Sequence, residues 1–201
     1  MSDSNAKNSP QPPPAPISPH ELKRLEDEIN RLTRPHDMPR RIELCRQALA
    51  LVEREREPEE WAWWHLKLAY SLQQNPWGSR ADNLEQAIHH YKQALEVYTG
   101  QAYPEQWAQT QNNLAIAYQD RIKGERRDNL EQAIHHYKQA LKVLLAYPEQ
   151  WADTQNNLAN AYQNRIRGER RDNLERAIYH YEQALEVYTR QGILKLEFLL
   201  K

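Results

Sequence analysis

Glycine is scarce, with 5 among 201 residues. So little left-handed backbone freedom disfavours turn-dense β architectures and the Gly-rich loops that cradle phosphates. Cys45 is the only cysteine, which excludes an internal disulfide and a cysteine zinc cluster. A formal net charge of −1 leaves no global pull toward nucleic acid or an anionic membrane, and neither is an expected partner. No run of roughly 18 apolar residues, the length of a membrane span, occurs anywhere. The N-terminus, MSDSNAKNSP, lacks the apolar core of a secretory leader, so a soluble, cytoplasmic protein is expected. Hydrophobic residues make up 39% and charged residues 27%, a balance that suits an elongated fold with much surface.

What the chain does have is proline at its start and a long repeat thereafter. Residues 1–19 hold 6 of the 12 prolines among Ser, Asn and Gln. Such a stretch buries too little apolar surface to offset its ordering entropy and reads as a disordered tail. Its Pro12-Pro13-Pro14 run has the form of a polyproline ligand, though a solubilising leader accounts for it as well.

DNLEQAIHHYKQAL begins at Asp82 and again at Asp128, and returns as DNLERAIYHYEQAL at Asp172. Between the copies lie WAQTQNNLAIAYQDRI from Trp107 and WADTQNNLANAYQNRI from Trp151. A diverged copy precedes them, with Trp61, Leu68 and Ala69 answering to Trp107, Leu114 and Ala115. Each repeat predicts two helices. The first starts at Tyr-Pro-Glu, where proline fits the first turn and glutamate favours the dipole. Asp82, Asp128 and Asp172 are expected to cap the second, with Glu85, Glu131 and Glu175 completing capping boxes. Gly124 sits where a left-handed residue would end the first helix. Trp107, Leu114, Ala115, Tyr118 and Ile122 share one side of the first helix; Leu130, Ala133, Ile134, Tyr137, Ala140 and Leu141 share one side of the second. A hairpin this short cannot bury its stripe alone, so stacked repeats supply the core. The expected fold is all-α: a right-handed α-solenoid of antiparallel helix pairs. A helix at about 20–33 and a half-repeat helix at 38–56 fill an N-terminal region, 20–58. Three helix pairs occupy 59–191, and an apolar segment follows at 192–201.

Leu114-Ala115-x-x-Tyr118, then Ala133, Tyr137 and Ala140, then Pro148, resemble a tetratricopeptide repeat. The NNLAxAYxxR opening and the long period are similar to the variant repeats that precede caspase-like CHAT domains in bacterial proteins, and more distantly to kinesin light chain repeats. The usual 34-residue unit is lengthened around RIKGERRDN, and only GILKLEFLLK follows Gln191, too short for a CHAT domain. The resemblance implies a non-catalytic module that binds a protein or peptide in a concave groove lined by the first helices.

Residues 103–143 and 147–187 differ at only eight positions. Four of these, Gln109/Asp153, Ile116/Asn160, Asp120/Asn164 and Lys123/Arg167, return to nearly one helical angle, opposite Leu114 and Tyr118. On the resemblance this stripe lines the groove. Asn113 and Asn157 flank it where some relatives build an asparagine ladder onto a peptide backbone, whose N–H and C=O an amide can serve together. Bridging of neighbouring helices is the alternative role, and Lys67 breaks the ladder in the earlier repeat. With Asn112 and Asn156 in place of basic residues, and Gln111 beside them, a carboxylate clamp is not expected. The tryptophans Trp61, Trp107 and Trp151 read as core, with Trp63 or Trp64 left for the groove.

No cofactor and no metal are expected. Adjacent histidines (His89-His90, His135-His136) diverge by about 100° and cannot chelate as an i, i+4 pair would; these and His180 read as surface residues of the convex face. Arg126-Arg127 and Arg170-Arg171 are neutralised by adjacent acids. Cys45 matches the core positions Tyr91 and Tyr137 and reads as a buried, inert thiol. Two further readings stand beside the binding module: a regulatory half of a CHAT-type signalling protein acting in trans, and a structural protein that self-associates through Ile193, Leu194, Leu196, Phe198, Leu199 and Leu200.

Overall fold

The computed structural model describes the backbone of residues 19–199 and the side chains of 20–190. Every described element is helical. Helix α1 (Pro19–Arg31) and α2 (Met38–Leu49) are followed by three antiparallel pairs: α3 (Pro58–Gln74) with α4 (Arg80–Leu95), α5 (Pro104–Asp120) with α6 (Arg126–Leu141), and α7 (Pro148–Gln163) with α8 (Arg170–Leu199). Each pair packs on the next, so the chain forms an α-solenoid. Among the described residues no helix is long and apolar enough to cross a membrane. The Pro-rich tail lies outside the described residues, as do the side chains of the C-terminal apolar segment, whose backbone to Leu199 continues α8.

Proline opens α3, α5 and α7 at Pro58, Pro104 and Pro148, as the Tyr-Pro-Glu motif predicts. The second helices depart from expectation. They begin two residues before the aspartates, so Asp82 and Asp128 lie in the first turn, where their charge favours the helix dipole but their side chains cap nothing. Ser79 caps α4 by accepting a bond of 3.2 Å from the Asp82 N–H. The residue that fixes the linker is the asparagine after each aspartate. Buried Asn129 donates to the Lys123 carbonyl at 2.9 Å and accepts from Arg121 at 3.3 Å; Asn173 repeats both contacts with Arg167 and Arg165. Gly124 takes φ +78°, as a left-handed residue should, but inside this linker and not at the helix end. The linker also carries Ile122, which is 61% exposed and outside the core, because α5 stops at Asp120.

Packing follows the predicted phase elsewhere. Leu114, Ala115 and Tyr118 are buried in one core cluster with Ala133, Ile134 and Tyr137, and Leu130 and Ala140 are buried as well. Ala115, Ala133 and Ala140 have no exposed surface, which lets neighbouring backbones approach closely. Trp61, Trp107 and Trp151 are half-buried at the core's edge, whereas Trp64 is completely enclosed, its indole N–H donating to Glu60 at 3.1 Å. Helix α2 ends at Leu49, short of the expected residue 56, as a turn tucks Val52 into the core. Leu22, Leu25 and Ile29 of α1 face inward, and its outer side carries Lys23, Arg24, Asp27 and Glu28.

Between repeats, Glu85 and Glu131 do not close capping boxes. Each reaches the arginine that ends the next first helix: Arg121 grips Glu85 at 2.7 and 2.8 Å, and Arg165 grips Glu131 at 2.7 and 2.9 Å. Paired in this bidentate way, both carboxyls are held below the usual glutamate range.

Candidate functional site

Close approaches link α3 to α5 and α5 to α7, while the second helices meet mainly the first helices on either side of them. The first helices therefore line one side of the stack and the second helices the other. A cleft of about 200 Å³ opens there between α5 and α7, lined by Gln109, Asn112, Asn113, Asp153, Gln150 and Leu144 among others. The copy-to-copy differences Gln109/Asp153 and Asp120/Asn164 are exposed, and Ile116/Asn160 is half-buried.

The candidate residues divide by what they touch. Asn157 donates to Asn112 at 3.3 Å and ties α7 to α5, the bridging role. One repeat earlier the position of Asn112 is held by Leu66, so Asn113 has no matching bridge to α3, and its side chain lines the cleft. Asp153 lines the same cleft and accepts from Tyr188 of α8 at 2.5 Å. Asn156 is half-buried on the same helix. Nearer the helix C-termini, Asp120 is paired with Arg80 at 3.1 Å, and Asn160 accepts from the Tyr181 hydroxyl at 2.6 Å. Asn164 ends α7 and donates to the Asn160 carbonyl at 2.8 Å. Lys67, at the break in the ladder, lies 4.9 Å over the ring of half-buried Trp63.

Gln150, Thr154 and Leu144 also line the cleft, and sequence reasoning did not single them out. For Leu144 a signal existed: it belongs to the segment that replaces the YTGQ connector of the preceding repeat.

The histidines are a correction. His89 and His135 are exposed, but His90, His136 and His180 turn into the helix pairs. His136 bonds to Gln111 and His180 to Gln155, each at 2.6 Å, and His90 meets His65 across 2.9 Å. Burial, reinforced at His65, His90 and His136 by nearby histidines, lowers all four imidazoles to about 4, so they are neutral internal struts. Cys45 is fully buried, and burial pushes its thiol up to about 12. Arg127 pairs with Asp128 and Arg171 with Glu175, which satisfies both arginine loops locally.

The repeat unit now has defined ends: an alanine-rich first helix, an asparagine-anchored linker and a second helix that hands its carboxylate to the next unit. The Sel1 repeat family model matches this unit three times, at residues 64–96, 108–142 and 152–186, together just over half of the chain. The chain belongs to the Sel1 repeat family. Sel1 repeats are tetratricopeptide-like and generally mediate protein–protein interaction, so this is a binding module of a typically non-catalytic kind. The matched Sel1 segments span the three pairs α3–α4, α5–α6 and α7–α8. No curated protein matches the chain.

Proposed function

We propose that the concave face of α3, α5 and α7 binds a segment of a partner protein, with the α5–α7 cleft at the centre of recognition. The observation that carries this reading is Asn113. Its amide lines the cleft without the interhelical bridge that Asn157 makes, and it can donate and accept toward a peptide backbone at once. Gln109 and Asp153 vary between otherwise near-identical repeats on the same exposed stripe, so each rank of the groove presents different chemistry. Asn157, engaged with Asn112, is assigned to holding the groove together. A regulatory half acting on a separate effector, suggested by the likeness to CHAT-associated repeats, would use the same face.

The test is capture of binding proteins by the full chain beside Gln109→Ala/Asn113→Ala. Both positions face the cleft, so helicity and melting temperature should be unchanged while a specific partner is lost. A partner retained in full by the double variant refutes the groove assignment.

A further inference from the structure

A second surface lies at the end of the solenoid. On α4 and α6 the following first helix covers Leu84, Ile88 and Tyr91, then Leu130, Ile134 and Tyr137, all buried. Helix α8 carries the same residue types at the same positions, Leu174, Ile178 and Tyr181, followed by Leu185. There Ile178 is 56% and Leu185 63% exposed, and no described side chain covers them. Ile178, Leu174, Tyr181 and Leu185 fall within about 60° on the helix, a continuous apolar stripe.

Charge specifies what fits this stripe. The inner interfaces are closed by basic residues from the incoming unit. Arg121 and Lys123 meet Glu85 and Asp82, the latter at 2.7 Å; Arg165 and Arg167 meet Glu131 and Asp128. On α8 the acids are present again as Asp172 and Glu175, with only Arg171, one turn back, on Glu175. The face is also more acidic than its templates. Where α6 has Lys138 and Lys142, α8 has Glu182 and Glu186. Glu175, Glu182 and Glu186 fall within about 40° of one another, along one flank of the stripe. A second copy of this chain fits poorly: two α8 faces would oppose carboxylates, and among the described residues the outer side of α1 at the other end carries charged side chains but no exposed apolar one to meet the stripe, since Leu22, Leu25 and Ile29 face inward.

We propose that the exposed face of α8 docks an amphipathic helix of a partner protein, its apolar stripe flanked by Arg or Lys. This surface is separate from the concave cleft.

The experiment uses the full chain and a fluorescein-labelled synthetic peptide of residues 147–167. This is α7 with Arg165 and Arg167, the helix that covers the equivalent face of α6. Fluorescence anisotropy should show binding that weakens with added salt, and a peptide carrying Arg165→Glu and Arg167→Glu should bind at least ~10-fold more weakly. Ile178→Asp should cost a similar factor without changing helicity or melting temperature, since Ile178 is exposed. Glu175→Lys should reverse the preference between the two peptides. Gln109→Ala/Asn113→Ala should leave affinity unchanged. The proposal is overturned if the wild-type chain does not bind the peptide that carries Arg165 and Arg167, if both peptides bind equally, or if the cleft variant abolishes binding. It is equally overturned if the chain sediments as a dimer that Ile178→Asp dissolves, since the occupant would then be a second copy.

Discussion

The same substitution made at two equivalent sites tests the packing argument with its own control. Ile134 on α6 and Ile178 on α8 occupy the same position of the repeat, but the first is 5% and the second 56% exposed. Truncating Ile134 to alanine removes side-chain carbon that is almost entirely out of water and opens a void between α6 and α7. Such a change costs about 2–5 kcal/mol in a packed core. Ile178→Ala removes atoms that are mostly hydrated already, and its cost should stay within about 1 kcal/mol. The two variants should therefore differ by at least about 1 kcal/mol, and more if the α6–α7 interface does not relax. The site of the loss matters too. A stacked array is held by nearest-neighbour interfaces, so weakening α6–α7 uncouples the last pair from the rest. Urea unfolding of Ile134→Ala, followed by circular dichroism and by tryptophan fluorescence, should give non-coincident transitions, the signature of lost two-state behaviour. For Ile178→Ala the two probes should coincide as in the parent. Equal destabilisation by the two substitutions would refute both the helical phase and the assignment of α8 as the uncovered face.

Two further outcomes follow from the ion pairs and the buried imidazoles. Glu131→Gln removes the bidentate partner of Arg165 at a site only about one-fifth exposed and should cost roughly 1–2 kcal/mol in urea unfolding; Glu175→Gln, at an open site, should be nearly neutral. His65, His90, His136 and His180 stand at about 4 in the folded chain against 6.5 when free, so the unfolded chain binds more protons between those values. Their contribution to stability is complete above pH 6.5 and is lost as pH falls toward 4. The urea midpoint should drop between pH 7 and pH 4.5, less steeply in His65→Gln, which recreates the Gln–His pair of the other repeats; an unchanged midpoint would contradict the burial of these rings.

Much of this was readable without coordinates because local rules and repetition agree. The period, the Pro-opened first helices and the burial of Leu114, Tyr118, Ile134 and Tyr137 all follow from spacing. So does the exposed stripe at Gln109 and Asp120, since two near-identical copies mark where packing does not constrain the chain. The errors arose where a residue's role depends on a contact outside its own helix. Glu131 after Asp128 satisfies a capping-box pattern, but the carboxylate is taken by Arg165, 34 residues on. His136 reads in the sequence as a surface residue like His135, but a one-residue step of about 100° is enough to bring its ring inside the pair. Asn129 was invisible in role though constant in all three copies, because nothing local says which carbonyl it will hold. In the cleft, the split between Asn157 as a bridge and Asn113 as a lining residue depends on Leu66, two helices earlier.

The two kinds of connector also differ in what they allow. Within a pair, a buried asparagine bonded to a linker carbonyl and a positive-φ glycine recur in all three copies, joined by an arginine in the last two, and make the linker a stiff bracket. Between pairs the chain changes length, from the Val97–Tyr103 connector to the shorter turn at Leu144–Ala146. The pairs thus behave as rigid tiles laid on adjustable joints. Pitch and curvature, and with them the span of groove offered to a partner, can drift by insertion at the joints while the tiles keep their shape.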